Sequence, residues 1–288
     1  MKFVLFSLVT FLASAQIGFG AEAPVNSNSA PAATLSQSVG APSAAKVHGF
    51  AEFRPSYTTK AGEVHSENAA ELGYDFSKST FLFYRQEFNT NLYNPANVSG
   101  TNVSPTDGYI KMVAQNLYSF SGTPLSLSYE GRYFLPTLER KREAGMLTTL
   151  RNYVWLKYAA SNSLNFYLAE APMIHVYKDR GYKNAANPIF ENRVELVAEY
   201  IFTDKVKLVF PFKLSTTRYS NYQAGAKNND AWGNYLYVHP ELTYRLNANW
   251  KVGTAFYSGA LTNATLSGLT IGDGLSSGIF QTFVAASL

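Results

Sequence analysis

Polar and apolar residues alternate along most of the chain after residue 46. Residues 193–216, RVELVAEYIFTDKVKLVFPFKLST, show the pattern most plainly. Val194, Leu196, Ala198, Tyr200 and Phe202 form one set, continued by Leu208, Phe210, Phe212 and Leu214. Arg193, Glu195, Val197 and Glu199 form the other, continued by Lys207, Val209, Lys213 and Ser215. A period of two is the signature of a β-strand with unlike faces, and TDK at the junction predicts a hairpin. The same reading predicts twelve strands, over 47–57, 69–76, 80–92, 109–120, 125–135, 147–158, 164–177, 190–202, 206–219, 235–246, 250–261 and 278–288. Most match or exceed the roughly 9 to 11 residues that a tilted strand needs to cross a bilayer.

The connections sort into two kinds. SKS, SGTP, AASNS, TDK and NAN are short. TTKAGEVHSEN, YNPANVSGTNVSPTD, PTLERKREAGM, KDRGYKNAANPI, SNYQAGAKNNDAWGN and TNATLSGLTIGDGLSS are long and polar. The two kinds alternate along the chain. An up-and-down antiparallel sheet puts all short turns at one end and all long loops at the other. With an even strand count it can close on itself. The fold predicted is an all-β, antiparallel, up-and-down transmembrane β-barrel of about twelve strands. The oily set then faces lipid and the charged set a wet interior, and closure leaves no backbone edge unpaired in hydrocarbon.

Composition agrees with this fold. The chain of 288 residues holds 20 Tyr, 20 Phe and 3 Trp, with charged residues at 15%. Soluble domains carry about 25% charge. Mean hydropathy is only −0.12, and no stretch beyond the N-terminus is continuously apolar, which excludes a helical membrane protein. The N-terminus, MKFVLFSLVTFLASAQIGFG, has a basic residue, a short apolar run and small residues at its end. It predicts a secretory signal peptide over residues 1–20. Residues 21–46, rich in Ala, Ser, Pro and Asn, predict a flexible periplasmic segment. The barrel takes 47–288. Without cysteine the chain has no disulfide or thiol chemistry. The net charge of +4 is small and forms no dense basic run, so no nucleic-acid partner is expected.

On this architecture the chain resembles bacterial outer-membrane β-barrel proteins, in particular the small twelve-stranded porin-like group. The resemblance covers residues 47–288 and rests on no catalytic motif. It implies a bacterial outer-membrane location with both termini periplasmic, contact with membrane lipid and lipopolysaccharide, and insertion by assembly machinery that reads the last strand. In that strand, GIFQTFVAASL, Phe280, Thr282, Val284, Ala286 and Leu288 are expected to face lipid. The terminal aromatic common in the class is replaced by Leu288.

Strand parity assigns the candidate lumen wall. Glu52 and Arg54 share one face, as do Arg85 and Glu87, Lys111, Glu130 and Arg132, and Arg151 and Lys157. Further along are Glu191, Arg193, Glu195 and Glu199, then Lys207 and Lys213, then His239, Glu241 and Arg245. Glu71 and Lys251 belong to the same inward set. Such a wall suits a narrow porin-like channel for ions or small polar solutes. The same charges could instead pair across strands and fill a non-conducting barrel. A third reading is a lipid-modifying or hydrolytic enzyme. Two residues apart on one face, His239 and Glu241 could form an oriented base, and His175 lies near Asp179 in sequence. No serine stands in a nucleophile motif beside either histidine. Metal-ligand spacing is absent and no cofactor is expected. Five features strain the pattern. Gln86 and Asn152 fall on the lipid side, the run LAEAPM suggests a bulge near Glu170, and Pro211 and Pro240 lie inside strands. His65 reads as a solvated loop residue.

Overall fold

The structure is a computed structural model that describes residues 47–58, 63–93, 102–182, 185–220, 232–258, 261–262 and 278–287. The expected signal peptide (1–20), the expected flexible segment (21–46) and Leu288 lie outside the described residues.

Twelve strands follow one another along the chain. They are β1 (Val47–Thr58), β2 (Glu63–Asp75), β3 (Thr80–Tyr93), β4 (Tyr109–Ser119), β5 (Leu125–Phe134) and β6 (Met146–Ala159). Then come β7 (Leu164–Tyr177), β8 (Pro188–Ile201), β9 (Val206–Tyr219), β10 in two segments (Trp232–Val238 and Glu241–Arg245), β11 (Trp250–Tyr257) and β12 (Ile279–Ser287). Each pairs antiparallel with the next. The last pairs back with the first, with Tyr57 opposite Phe280 and Phe50 opposite Ser287. The sheet is therefore a closed antiparallel barrel.

Closure explains the burial. On β9, Phe210 and Phe212 point outward and are 45% and 41% exposed, while Lys213 and Ser215 point inward at 6% and 3%. The barrel is inverted relative to a soluble protein, with an aromatic and aliphatic exterior and a charged interior. β12 follows the rule, with Phe280 and Val284 outside and Gln281, Phe283 and Ala285 inside.

Several expectations need correction. β2 begins at Glu63 rather than Ala69, so His65 is a strand residue opposite Ser56 and not a loop residue. The alternation is invisible there because Ser66 and Asn68, on the outward side, are themselves polar. Asn68 Nδ2 donates to Ser66 Oγ (3.0 Å) and Thr90 Oγ1 (3.2 Å). The first of the long connections thus shrinks to residues 59–62. Within the second, Asn102–Pro105 pairs with β3. The third holds a short helix, α1 (Glu139–Glu143), and the fourth a small hairpin of Gly181–Tyr182 with Ala185–Ala186.

No bulge occurs at Glu170, since β8 pairs with β7 without a register shift from Phe190–Ile174 to Tyr200–Leu164. Ala169, Ala171 and Met173 point inward, and Glu170 and Pro172 keep their outward parity. The apparent break arose because an outward carboxylate resembles an inward one in sequence. Register shifts occur instead near strand ends, at Val64/His65, Met146/Thr148 and Pro188/Phe190, and within β4 between Ala114 and Tyr118. Asn116 takes φ 47° there, a left-handed conformation that asparagine tolerates, and its N–H donates to Ser128 Oγ at 3.0 Å.

The two strand prolines meet at one place. Pro240, with His239, interrupts β10 beside Pro211 of β9, and His239 N–H donates to Pro211 O at 3.1 Å. The register is the same on both sides, Phe212 opposite Val238 and Val209 opposite Glu241.

Candidate functional site: the barrel interior

Residues two apart on a strand lie on one face, about 6.6 Å along it, within reach of long side chains. Four strands place opposite charges at this spacing. On β1, Arg54 Nε donates to Glu52 Oε1 at 3.1 Å. On β3, Arg85 Nε donates to Glu87 Oε1 at 2.9 Å. β5 pairs Arg132 with Glu130. On β8, Arg193 lies between Glu191 (3.0 Å) and Glu195 (3.8 Å).

Neighbouring strands join these pairs into larger groups. Arg54 also donates to Glu241 Oε2 of β10 (3.2 Å) and Gln281 Oε1 of β12 (3.4 Å). Gln281 Nε2 in turn donates to Ser56 Oγ (3.0 Å) and Glu67 Oε2 (3.4 Å). Glu71 of β2 faces Lys111 at 3.1 Å and Arg85 at 3.7 Å. Lys213 of β9 faces Glu195 at 3.7 Å. Nearer the short turns, Glu199 accepts from Lys207 Nζ (2.9 Å), Tyr167 Oη (3.0 Å) and Asn165 Nδ2 (3.1 Å).

Aromatic faces hold the remaining sides of these cations, an attraction that strengthens where water is sparse. Arg54 lies over Phe283 at 4.3 Å and Lys111 over Phe83 at 4.4 Å. Arg132 is within 5.1 Å of Tyr109 and 5.0 Å of Tyr153. Lys157 lies 5.7 Å from Tyr167. Lys251 faces Phe50 and Phe283. Arg151 donates to Tyr153 Oη at 3.0 Å and contacts Met173 sulfur. Register sets Lys111, Arg132 and Arg151 side by side on β4, β5 and β6. Each turns its charge to a different partner.

The structure therefore places Glu52, Arg54, Arg85, Glu87, Lys111, Glu130, Arg132, Arg151, Lys157, Glu191, Arg193, Glu195, Glu199, Lys207, Lys213, His239 and Glu241 on the interior face. Arg245 has the same parity but lies at the strand end, where its Nη2 donates to Asp204 O at 2.7 Å. It braces the β8–β9 turn instead of lining the interior. Glu67 and Gln281 join the wall although the sequence reading did not select them. Glu67 fell in an expected loop, and Gln281 carries no charge to mark it.

The residues that suggested an enzyme make other contacts. Glu241 is engaged by Arg54 and accepts from Thr243 Oγ1 at 3.3 Å. His239 packs edge-on to Tyr257 at 5.1 Å. His175 Nδ1 is 2.9 Å from Thr149 Oγ1, while Asp179 stands exposed in the loop beyond β7. Among the described residues no group of three metal-ligating side chains occurs.

At the long-loop end, Lys141 of α1 pairs with Asp107, and Thr137 donates to Thr106 O while accepting from Gly108 N–H at 2.7 Å. These contacts tie the third long loop to the start of β4.

No protein-family model matches the chain, and no curated protein matches its sequence. Among solved structures, the NanC porin aligns over 83% of this chain and 100% of its own, with TM-score 0.52 and 14% identity. An outer membrane channel from Pseudomonas putida F1 aligns over 84% of this chain and 95% of its own, with TM-score 0.57 and 9% identity. At such identities the likeness concerns the path of the chain and not its side chains. In fold, the chain is a closed twelve-stranded antiparallel barrel similar to those of these outer-membrane channels.

Proposed function

We propose that the barrel spans the bacterial outer membrane, after export by the N-terminal signal, and forms a narrow channel for ions or small polar solutes through its mixed-charge interior. The observation that carries the reading is a set of buried polar atoms on the inner wall with no protein partner. They are Tyr109 Oη, Trp155 Nε1 and His175 Nε2. Buried polar groups are met by protein or by water. Water inside, beside paired charges of both signs, is the medium in which a small polar solute travels. The exterior supports the membrane half of the reading. Phe53, Leu72, Ile174, Leu196, Phe210 and Phe280 are all at least half or nearly half exposed, a surface that hydrocarbon accepts and water does not.

In this reading the short turns and both termini are periplasmic and the long loops lie outside the cell. The outward face contacts lipid and lipopolysaccharide, and the last strand is the signal for the assembly machinery. The solute is an ion or small polar molecule of unspecified identity. No catalytic role is assigned.

A second reading, a non-conducting barrel, draws on the close packing of the same wall. Arg54, Lys111, His239 and Glu241 are each 1% exposed or less. Planar-bilayer recording of the refolded protein separates the two. Discrete conductance steps support the channel, and a tight seal at all voltages turns the assignment to a closed barrel. Release of fatty acid from phospholipid by the same sample would overturn both in favour of an enzyme.

A further inference from the structure

The outward face of β6, β7 and β8 carries a polar patch at mid-strand. On β7, Glu170 lies between outward Phe166 and Leu168 on one side and Ile174 and Val176 on the other. Ile174 is 51% exposed. Pro172, the next outward residue, is opposite Asn192 of β8. Asn152 of β6, between the pairs Arg151–Met173 and Val154–Glu170, is level with the same proline. Leu150, Val154 and Leu196 surround the patch with exposed apolar surface.

The patch is only partly satisfied from within. Asn192 Nδ2 donates to Glu170 Oε1 at 3.2 Å, and Tyr129 Oη donates to Asn152 Oδ1 at 2.6 Å. Asn192 Oδ1 is buried with no partner. Buried in its own chain, that oxygen faces no partner, which leaves the second carboxylate oxygen of Glu170 as acceptor and the Asn152 amide as donor. Gln86, another outward amide, differs. Its Nε2 donates to the backbone of Glu87 and Thr106, each at 2.9 Å, and its Oε1 accepts from Tyr84 Oη at 3.1 Å.

This argument rests on the membrane-spanning reading above. Lipid tails offer neither donor nor acceptor, so a carboxylate with two amides at that depth calls for a membrane-embedded partner. The partner must present a donor and an acceptor at the same depth. A second copy of this barrel does so. A two-fold axis parallel to the barrel axis keeps both copies in the same orientation and depth. With that axis through the β7 face, the β6 side of one copy meets the β8 side of the other. Strand tilt of about 35–45° brings one flanking asparagine toward the level of Glu170. The donor at Asn152 and the acceptor at Glu170 are then matched twice, once in each direction.

We propose that the β6–β8 face is the contact between two copies of the barrel in the membrane, held by Glu170 and Asn152 within an apolar surround. The test uses the full chain, which has no cysteine of its own, refolded into phosphatidylcholine vesicles. Ile174→Cys is expected to cross-link into a dimer with a short bis-maleimide, and Phe280→Cys, on β12 away from the patch, is not. Adding Glu170→Leu to Ile174→Cys should lower the cross-linked fraction several-fold, whereas Glu170→Gln, which keeps an acceptor, should largely preserve it. A barrel that floats with vesicles but stays monomeric overturns the proposal and leaves the membrane reading intact. Equal cross-linking at both positions means random collision and overturns it too. A chain that does not float with vesicles overturns the membrane reading and the proposal together.

Discussion

Gly253 shows how much of the interior rests on one small residue. A Cβ at that position would lie 2.3 Å from Phe283 Cζ and 2.6 Å from the carbonyl oxygen of Leu242. The glycine lets Phe283 lie against the wall, Arg54 lies over the ring at 4.3 Å, and Arg54 in turn holds Glu52 and Glu241. Gly253→Ala should therefore cost about 1–3 kcal/mol, the usual range for overpacking, measured by urea titration of the refolded barrel in lipid. No change there would mean that Phe283 moves aside without loss. The two faces of β9 make a paired prediction. Phe210→Arg places a cation on the outward face, where the cost near the bilayer centre is about 2–4 kcal/mol. Lys213 is buried against Glu195, so Lys213→Gln is not silent. Glutamine keeps a donor and Arg193 still neutralises Glu195, so the loss should be about 1 kcal/mol. A larger loss for Lys213→Gln than for Phe210→Arg would invert the assignment of faces.

Strands were legible in the sequence wherever one face is mostly apolar, as in β7, β8 and β9. There, alternation alone gave limits within two residues of those in the structure. It failed where the outward face turns polar. The first half of β2, with Ser66 and Asn68 outward, resembled a loop, and Glu170 resembled a slipped register. The bulge in β4 left no periodic trace because it occupies three residues, Gln115 to Leu117, marked only by an asparagine suited to positive φ. Asn116→Val should be more costly there than elsewhere in the strand. A β-branched residue pays about 1–2 kcal/mol in the left-handed region, and the same urea titration reads it against Tyr118→Val as an outward control. The interior was legible as a face but not as a network. Glu52 with Arg54 and Glu130 with Arg132 follow from two-residue spacing. Arg54 with Glu241 and Gln281 with Ser56 are 187 and 225 residues apart and meet only because β12 closes on β1.

At the scale of the whole molecule, the proposed orientation is testable without touching the interior. With the long loops outside the cell, a cysteine at Lys141, Asn184 or Lys227 should react with an impermeant maleimide on intact cells. One at Ser77, Gly122 or Asp204 should not. Reaction at Gly122 but not at Lys227 would reverse the barrel in the membrane.

The interior supplies the remaining test, because its charges are sorted by wall. On β8 and β9 the register sets Glu195 opposite Lys213 and Glu199 opposite Val209, while Lys207 reaches Glu199 from the β9 end at 2.9 Å. These four side chains form two ion pairs on one stretch of wall. Replacing Lys207 and Lys213 by glutamine leaves two carboxylates, so permeation should shift toward cations. Replacing Glu195 and Glu199 by glutamine leaves two ammonium groups and should shift it toward anions. Both shifts should fade as salt rises, since the Debye length falls from about 10 Å at 0.1 M to about 3 Å at 1 M. The measurement is the reversal potential across a salt gradient for the native chain and the two double variants. Opposite displacements that shrink in concentrated salt place this wall at the constriction. Equal reversal potentials in all three move the constriction to the row of Lys111, Arg132 and Arg151 on β4, β5 and β6. Arg151→Gln, which removes a cation held by Tyr153 and Met173, should then be the substitution that turns the channel toward cations.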